Sequence, residues 1–419
     1  MRTLSARDVH WGGLFTAVLA LRLLYPFFDS PLAHLYSDPL RHWENGRDFL
    51  HPGAMGGGDP YLYQLWLFTL RWIARTSSAA ILAGCGVLCA AMPYGWYRAL
   101  RELVPRSPAL ASAVLIGLWP AFLGPYAYFM TETLLLTLTG FAFWLTLRAL
   151  RKRSLGAFTL AVALWLAVSF TRIVLLPIGL LCLALAWVAQ PHKWRSLILA
   201  LILTLAVAIP AGLHARMALG YFSPLGNLYL NEIYHASGAR DIQIDYGPKG
   251  TFVFGSPSYY NPTFYPFSGW TTSRQGIFAI TVDTQRGRDD WRRWLSAARA
   301  AGSGMRGRDF AENLCYLLFG QAWPDNDRTT LVGWLEVWLR WLFLPIILLT
   351  TAAAARGVYR GREWLLPGCA LVGLLLLAVQ REGIMEGRYR KPIEPIFLAA
   401  LALSVCTRRR AAEQRPEPR

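Results

Sequence analysis

The sequence predicts an all-α polytopic membrane protein with about ten transmembrane helices, an outer juxtamembrane segment and a small extramembrane domain. Composition gives the first indication: 54% of the 419 residues are apolar and only 16% charged, against roughly half and a quarter in an ordinary soluble domain. With 18 Trp, 18 Tyr and 21 Phe, the chain carries more apolar surface than a water-soluble core of this length hides, so lipid must solvate it. A second indication is a series of apolar stretches close to the 20 residues that a bilayer core requires. The third is the placement of cations. The formal charge of +17 would suggest nucleic acid in a soluble protein, but in a membrane protein Lys and Arg mark cytoplasmic loops, and no nucleic-acid partner is expected.

Taken in order, Arg2 and Arg7 precede an apolar stretch from Trp11 to Phe28 with no small-residue cleavage site after it, which reads as an uncleaved first helix. Further spans are expected near 78–97, 108–127, 131–150, 154–171, 172–190, 196–213, 332–352, 364–380 and 392–407. Five basic clusters test the set: Arg98 to Arg106, Arg148 to Arg153, Lys193 with Arg195, Arg356 to Arg362, and Arg408 to Arg410. All five are cytoplasmic, with both termini, when Tyr61–Ile73 lies at the outer interface; this segment is short, contains Arg71, and would make eleven spans if it crossed. The expected organisation is an N-terminal transmembrane module (1–213) with a first outer loop (29–77), an outer domain (214–331), C-terminal helices (332–407) and a cytoplasmic tail (408–419). The outer domain carries turn signals at Gly247-Pro248, Ser256-Pro257, Asn261-Pro262 and Ser268-Gly269 and an amphipathic helix from Asp289 to Ala301. Five of the six Cys lie in apolar runs, so neither a disulfide framework nor a CxxC metal site is expected.

Four constellations fall at the outer edge of the expected bundle, where a charge facing lipid is costly. Asp38 opens the first outer loop before Pro39, and His42 and Glu44 follow; if 39–50 is helical, Asp38 and His42 share a face. Asp38-Pro39 and Asp59-Pro60 both also suit helix N-caps. Glu132 opens the helix that starts at Thr131, where the helix dipole favours an acid. Arg172 stands inside an otherwise uncharged run from Leu155 to Gln190, too long for one crossing, and so marks the outer tip of a hairpin. An outward Arg runs against the positive-inside bias and points to anion binding, with snorkelling as the plain alternative. Arg388, Arg390 and Lys391 flank Tyr389 in an exported turn, where guanidinium forks suit a phosphate or an anionic lipid headgroup.

In this order, Asp38, the helix start Thr131-Glu132-Thr133-Leu134-Leu135 after an aromatic turn, and Arg388-Tyr389-Arg390-Lys391-Pro392 followed by Glu394-Pro395 resemble the integral-membrane glycosyltransferases of the GT-C superfamily. That group contains lipid-sugar-dependent protein mannosyltransferases and aminoarabinose transferases. Arg172 ahead of Leu175, Leu176 and Pro177 resembles a further recurring pattern, and the likeness spans roughly 10–210 and 330–407. Many relatives carry two adjacent acids where Asp38 is followed by Pro39. The resemblance implies a polyprenyl-phosphate sugar donor and a glycan, lipid or protein acceptor at the outer face of a membrane, with membrane lipids as surroundings. It implies Asp38 as general base, Glu132 positioning the sugar or helping to hold a divalent metal, and Arg172, Arg388 and Arg390 stabilising the leaving phosphate with help from Tyr389. His42, Glu44 and Asp59 are further candidates for substrate contact. The Ala- and Arg-rich composition suggests a bacterial inner membrane. Two other readings remain: a lipid-linked glycan polymerase or ligase, whose catalytic Arg or His would sit in the large outer loop, and a flippase, which calls for mid-membrane acids and repeated halves.

Overall fold

A computed structural model describes residues 5–57, 59–239, 241–247, 250–255, 276–302, 307–319, 331–379 and 387–413. The chain begins with α1 (Ala6–Phe28), started by Ser5, whose side chain accepts from the Asp8 N–H. The stretch expected as the first outer loop folds as α2 (Ser37–Arg47) and α3 (Tyr61–Ala74). Next come α4 (Ser78–Arg101), α5 (Arg106–Leu118), α6 (Thr131–Lys152), α7 (Leu155–Thr171), α8 (Leu176–Val188) and α9 (Lys193–Leu219). The stretch expected as the outer domain, 214–331, contributes α10 (Leu228–Ser237), three strands, α11 (Arg288–Ala301) and α12 (Gly307–Phe319). The last elements are α13 (Leu331–Leu339), α14 (Phe343–Ala355), α15 (Leu365–Val379) and α16 (Glu394–Glu413).

Among the described residues six helices are long and apolar enough to cross a bilayer, and a seventh span exists if a bent pair is counted as one. The expected spans at 154–171, 172–190 and 392–407 correspond to shorter apolar helices, and 108–127 is broken. In that last case α5 stops at Leu118, and Pro120–Ala127 continues as 3₁₀ turns at 77° to it. Pro120 lacks an N–H and pushes Trp119 into extended backbone, so the helix cannot continue. The stretch 61–73 forms a 14-residue helix, outside the set of spanning helices.

The break, together with Pro93 four residues after Cys89 in α4, leaves carbonyls inside the bundle without helical donors, and Arg22 of α1 satisfies them. Its guanidinium is fully buried, and donates from Nε to Cys89 O (2.7 Å), from Nη1 to Gly117 O (2.9 Å) and from Nη2 to Phe122 O (2.7 Å). Close approach makes this reach feasible: a Cβ on Gly86 would meet Leu23 O at 2.2 Å, and one on Gly117 would meet Val18 at 2.6 Å. From the other side Lys391 Nζ donates to Ala121 O (3.1 Å) while paired with Glu336 (2.8 Å). Because three buried acceptors depend on one fork, Arg22→Met is expected to cost about 3 kcal/mol or more, and Arg22→Lys, lacking the fork, nearly as much. Thermal unfolding in detergent measures this; a melting point within 1 °C or so of wild type would show that the carbonyls find other partners.

The all-α expectation needs one correction. In the outer domain Asp241–Asp245 (β1), Thr251–Gly255 (β2) and Ile277–Thr281 (β3) form a sheet in the order β2-β1-β3. β1 pairs antiparallel with β2 (Ile244 opposite Phe252) and parallel with β3 (Ile244 opposite Ile280). Alternation of Ile242 and Ile244 with polar neighbours buries one face of β1 on Trp291 and Leu295 of α11. That helix coincides with the amphipathic segment expected at 289–301, and Asp290 ties it back by accepting from the Asp283 N–H (2.8 Å). Of the four turn signals, Gly247 sits in the β1–β2 connection with positive φ, whereas the other three lie outside the described residues. Cys182 and Cys369 are free thiols in contact, Sγ to Sγ 3.6 Å, between α8 and α15.

Candidate active site

α2 brings its polar residues together around Asp59. Asp59 is buried and receives both Arg41 Nε (3.2 Å to each oxygen) and Asn45 Nδ2 (2.5 Å), with His42 Nδ1 3.1 Å away. Burial alone would raise its pKa, but Arg41 and His42 outweigh that and hold it well below the usual carboxylate range. Burial likewise opposes the charge on Arg41, and Asp59 and Asp38 more than offset it, raising its pKa further. The Asp59-Pro60 cap expectation is therefore corrected: Pro60 itself occupies the cap position of α3 without a side-chain bond, and the Asp59 carboxylate turns to Arg41. Asp38 does not cap either. Tyr36 holds that position, so Asp38 falls in the first turn of α2, directly after Ser37 at φ 47°, and accepts from Arg41 Nη1 at 2.5 Å. Two carboxylates thus share one guanidinium. Glu44 is exposed, and no hydrogen bond or ion pair among the described residues joins it to this cluster.

The second group comes from the bundle. Glu132 is buried in the first turn of α6, where it accepts from Thr131 Oγ1 (3.0 Å) and forms an ion pair with Arg172 Nη1. Arg172 ends α7 in extended backbone, and the 3₁₀ turn Ile173–Leu175 with Pro177 then starts α8, so the hairpin tip lies where expected. Its guanidinium also stacks on Tyr389, 4.6 Å from the ring centroid. Three constellations that look separate in sequence therefore meet: Glu132, Arg172 and Tyr389.

Arg390 goes elsewhere. It is buried, ion-paired with Glu394 one turn on, and donates to Leu317 O (3.3 Å) and Leu318 O (3.1 Å) of α12. Its role in the structure is to fasten the outer domain's last described helix to the start of α16. The side chain of Arg388 lies outside the described residues.

Both groups open on one cavity of about 210 Å³. Arg41, Asp59, Arg172 and Tyr389 line its bundle side, and Asn227, Asn231, Tyr246 and Phe252 the outer-domain side. Arg41 was not among the residues singled out in the sequence, although its place three residues after Asp38 is the ion-pair spacing of a helix. A second cavity of about 590 Å³, apolar and bounded by α7, α8 and α9 through residues such as Trp165, Leu180, Trp187 and Leu197, shares Ser169, Phe170, Pro224, Leu225 and Leu228 with the first. An apolar groove therefore adjoins the chamber that Arg41, Asp59 and Arg172 line.

The chain matches no protein-family model and no curated protein. What the arrangement can do must be read from its chemistry. Among the described residues no cluster of three or more His, Cys, Asp or Glu could hold a metal. Glu132 has Arg172 where a cation would sit, a poor setting for a divalent ion.

Proposed function

We propose that this protein is an integral-membrane glycosyltransferase that moves a sugar from a polyprenyl-phosphate donor to an acceptor hydroxyl on the outer face of the membrane. The observation that carries the reading is the junction of the apolar groove with the charged chamber, over Ser169, Phe170, Pro224, Leu225 and Leu228. A ligand with a long apolar tail and a polar head fits both compartments at once. The proposed topology has ten spans with both termini cytoplasmic, counting the bent pair and the three shorter apolar helices as crossings.

In this reading Arg172 meets the phosphate where the groove ends, held in place by Glu132 and the Tyr389 ring. Asp38 is the general base. Asp59 is the weaker candidate because its oxygens already accept from Arg41 and Asn45 and its pKa is depressed. Arg41, which lines the chamber, pairs with Asp38, so Asp38 would act beside the chamber through this contact. His42 buttresses Asp59 instead of touching substrate.

Deleting the gene provides the test. Mass spectrometry of lipid-linked sugars and surface glycans is expected to show an accumulated polyprenyl-phosphate sugar and one missing modification, both restored by the wild-type gene. Unchanged profiles in both fractions would dismiss the reading.

A further inference from the structure

Asn227 lines the chamber next to Leu228, which also reaches the groove, and one end of its side chain has no partner among the described residues. The residue is 7% exposed and caps α10: Oδ1 accepts from Leu230 N–H (3.1 Å) and from Tyr221 OH (3.1 Å). A backbone N–H can only donate, which fixes the orientation of the amide and leaves Nδ2 as the other end. That Nδ2 is buried and has no partner among the described residues, while the side chain lines the chamber. A buried donor without an acceptor costs about 1–3 kcal/mol, a cost a folded protein tolerates where a ligand completes the bond.

The surroundings define the ligand. On the same wall stand the Asn231 amide, one helical turn further along α10, and the rings of Tyr246 and Phe252. Arg172 is paired with Glu132, and Arg41, whose guanidinium lies 5.4 Å from the centroid of the Phe252 ring, is paired with Asp38 and Asp59. The outer-domain wall itself contributes no charged side chain among the described lining residues, so, unlike the Arg172 end, it does not favour an anion. Fixed amides beside aromatic rings instead suit a neutral ring with hydroxyls on its edge and C–H bonds on its face.

We infer that the outer-domain wall of the chamber is a subsite for a neutral sugar ring, with Asn227 Nδ2 donating to one of its oxygens. This rests on the glycosyl-transfer reading and deepens it by separating a sugar pole at Asn227 from a phosphate pole at Arg172.

The test uses the full-length protein in nanodiscs with a panel of hexose and pentose methyl glycosides, read by saturation-transfer NMR, and with inorganic phosphate, read by ³¹P line broadening. Asn227→Ser and Asn227→Asp both keep a good helix cap, so folding is preserved and checked by melting temperature. At least one glycoside is expected to bind. Asn227→Ser, which lacks the amide donor, should weaken it about three- to tenfold, the range of one net hydrogen bond. Asn227→Asp should retain it, because a sugar hydroxyl can turn to donate to a carboxylate. Absence of glycoside binding, or binding unchanged in Asn227→Ser, would overturn the subsite. So would phosphate binding that Asn227→Asp alone abolishes, since a carboxylate repels an anion but not a hydroxyl. Glycoside binding that depends on Asn227, in a strain whose lipid-linked sugars and glycans do not change on deletion, would keep the subsite and discard the transferase.

Discussion

Asp38→Asn is expected to reduce sugar transfer by about a hundred- to ten-thousandfold, the contribution of a positioned general base. Asn preserves an oxygen to accept from Arg41 Nη1, and Arg41 keeps its second partner in Asp59, so the chamber should hold its shape. Since Asp38 does not cap α2, no cap is lost either. Rates are measured with extracted donor lipid, alongside the shift in melting temperature that the donor produces. Loss of rate with an unchanged donor shift assigns proton removal to Asp38. Near-normal transfer would reduce Asp38 to a structural counter-ion of Arg41.

The second large effect is expected at Glu132. Removing one member of a buried ion pair costs about 3–5 kcal/mol, because the remaining charge is stranded, and Arg172 is the charge that lines the chamber. Glu132→Gln frees the guanidinium to swing off Tyr389, and transfer should fall by roughly a hundredfold, about 3 kcal/mol. Arg172→Lys should fall comparably even though charge is conserved, since an ammonium cannot bond Glu132 and a phosphate through one planar fork. In the double variant Glu132→Gln with Arg172→Lys, the losses should be far from additive, the sign of a coupled pair. Additive losses would mean that the two residues act separately.

The sequence allowed part of this site to be read directly. The positions of Glu132, Arg172 and Tyr389 at or beside helix ends follow from span length and from charges interrupting apolar runs, and those three do meet. Their partnership spans 40 residues in one case, and no helical or strand period reports such a contact. Asp59 shows the opposite failure. The Asp-Pro pair is a sound local cap signal, but three groups from α2 offered the carboxylate more than one backbone N–H could. Arg22 was averaged away inside an apolar window, and its partners are backbone carbonyls, which carry no sequence mark. The alternation in Asp241-Ile242-Gln243-Ile244-Asp245 is the period of a half-buried strand, but it covers only five residues, too few to stand out in a chain whose apolar runs are mostly helical.

The cations that hold the broken span differ in when they become available. Arg22 emerges from the ribosome before the segment 117–122 that it grips, so the bend can form early. Lys391 is made 270 residues after Ala121, which it also binds. The Ala121 carbonyl and the Glu336 carboxylate must therefore wait, without Lys391, until that distant segment has been made. Maturation of the bend is thus tied to a segment synthesised much later. A polypeptide ending before Lys391 would hold the bend through Arg22 alone of the two cations and leave Glu336 without its Lys391 partner.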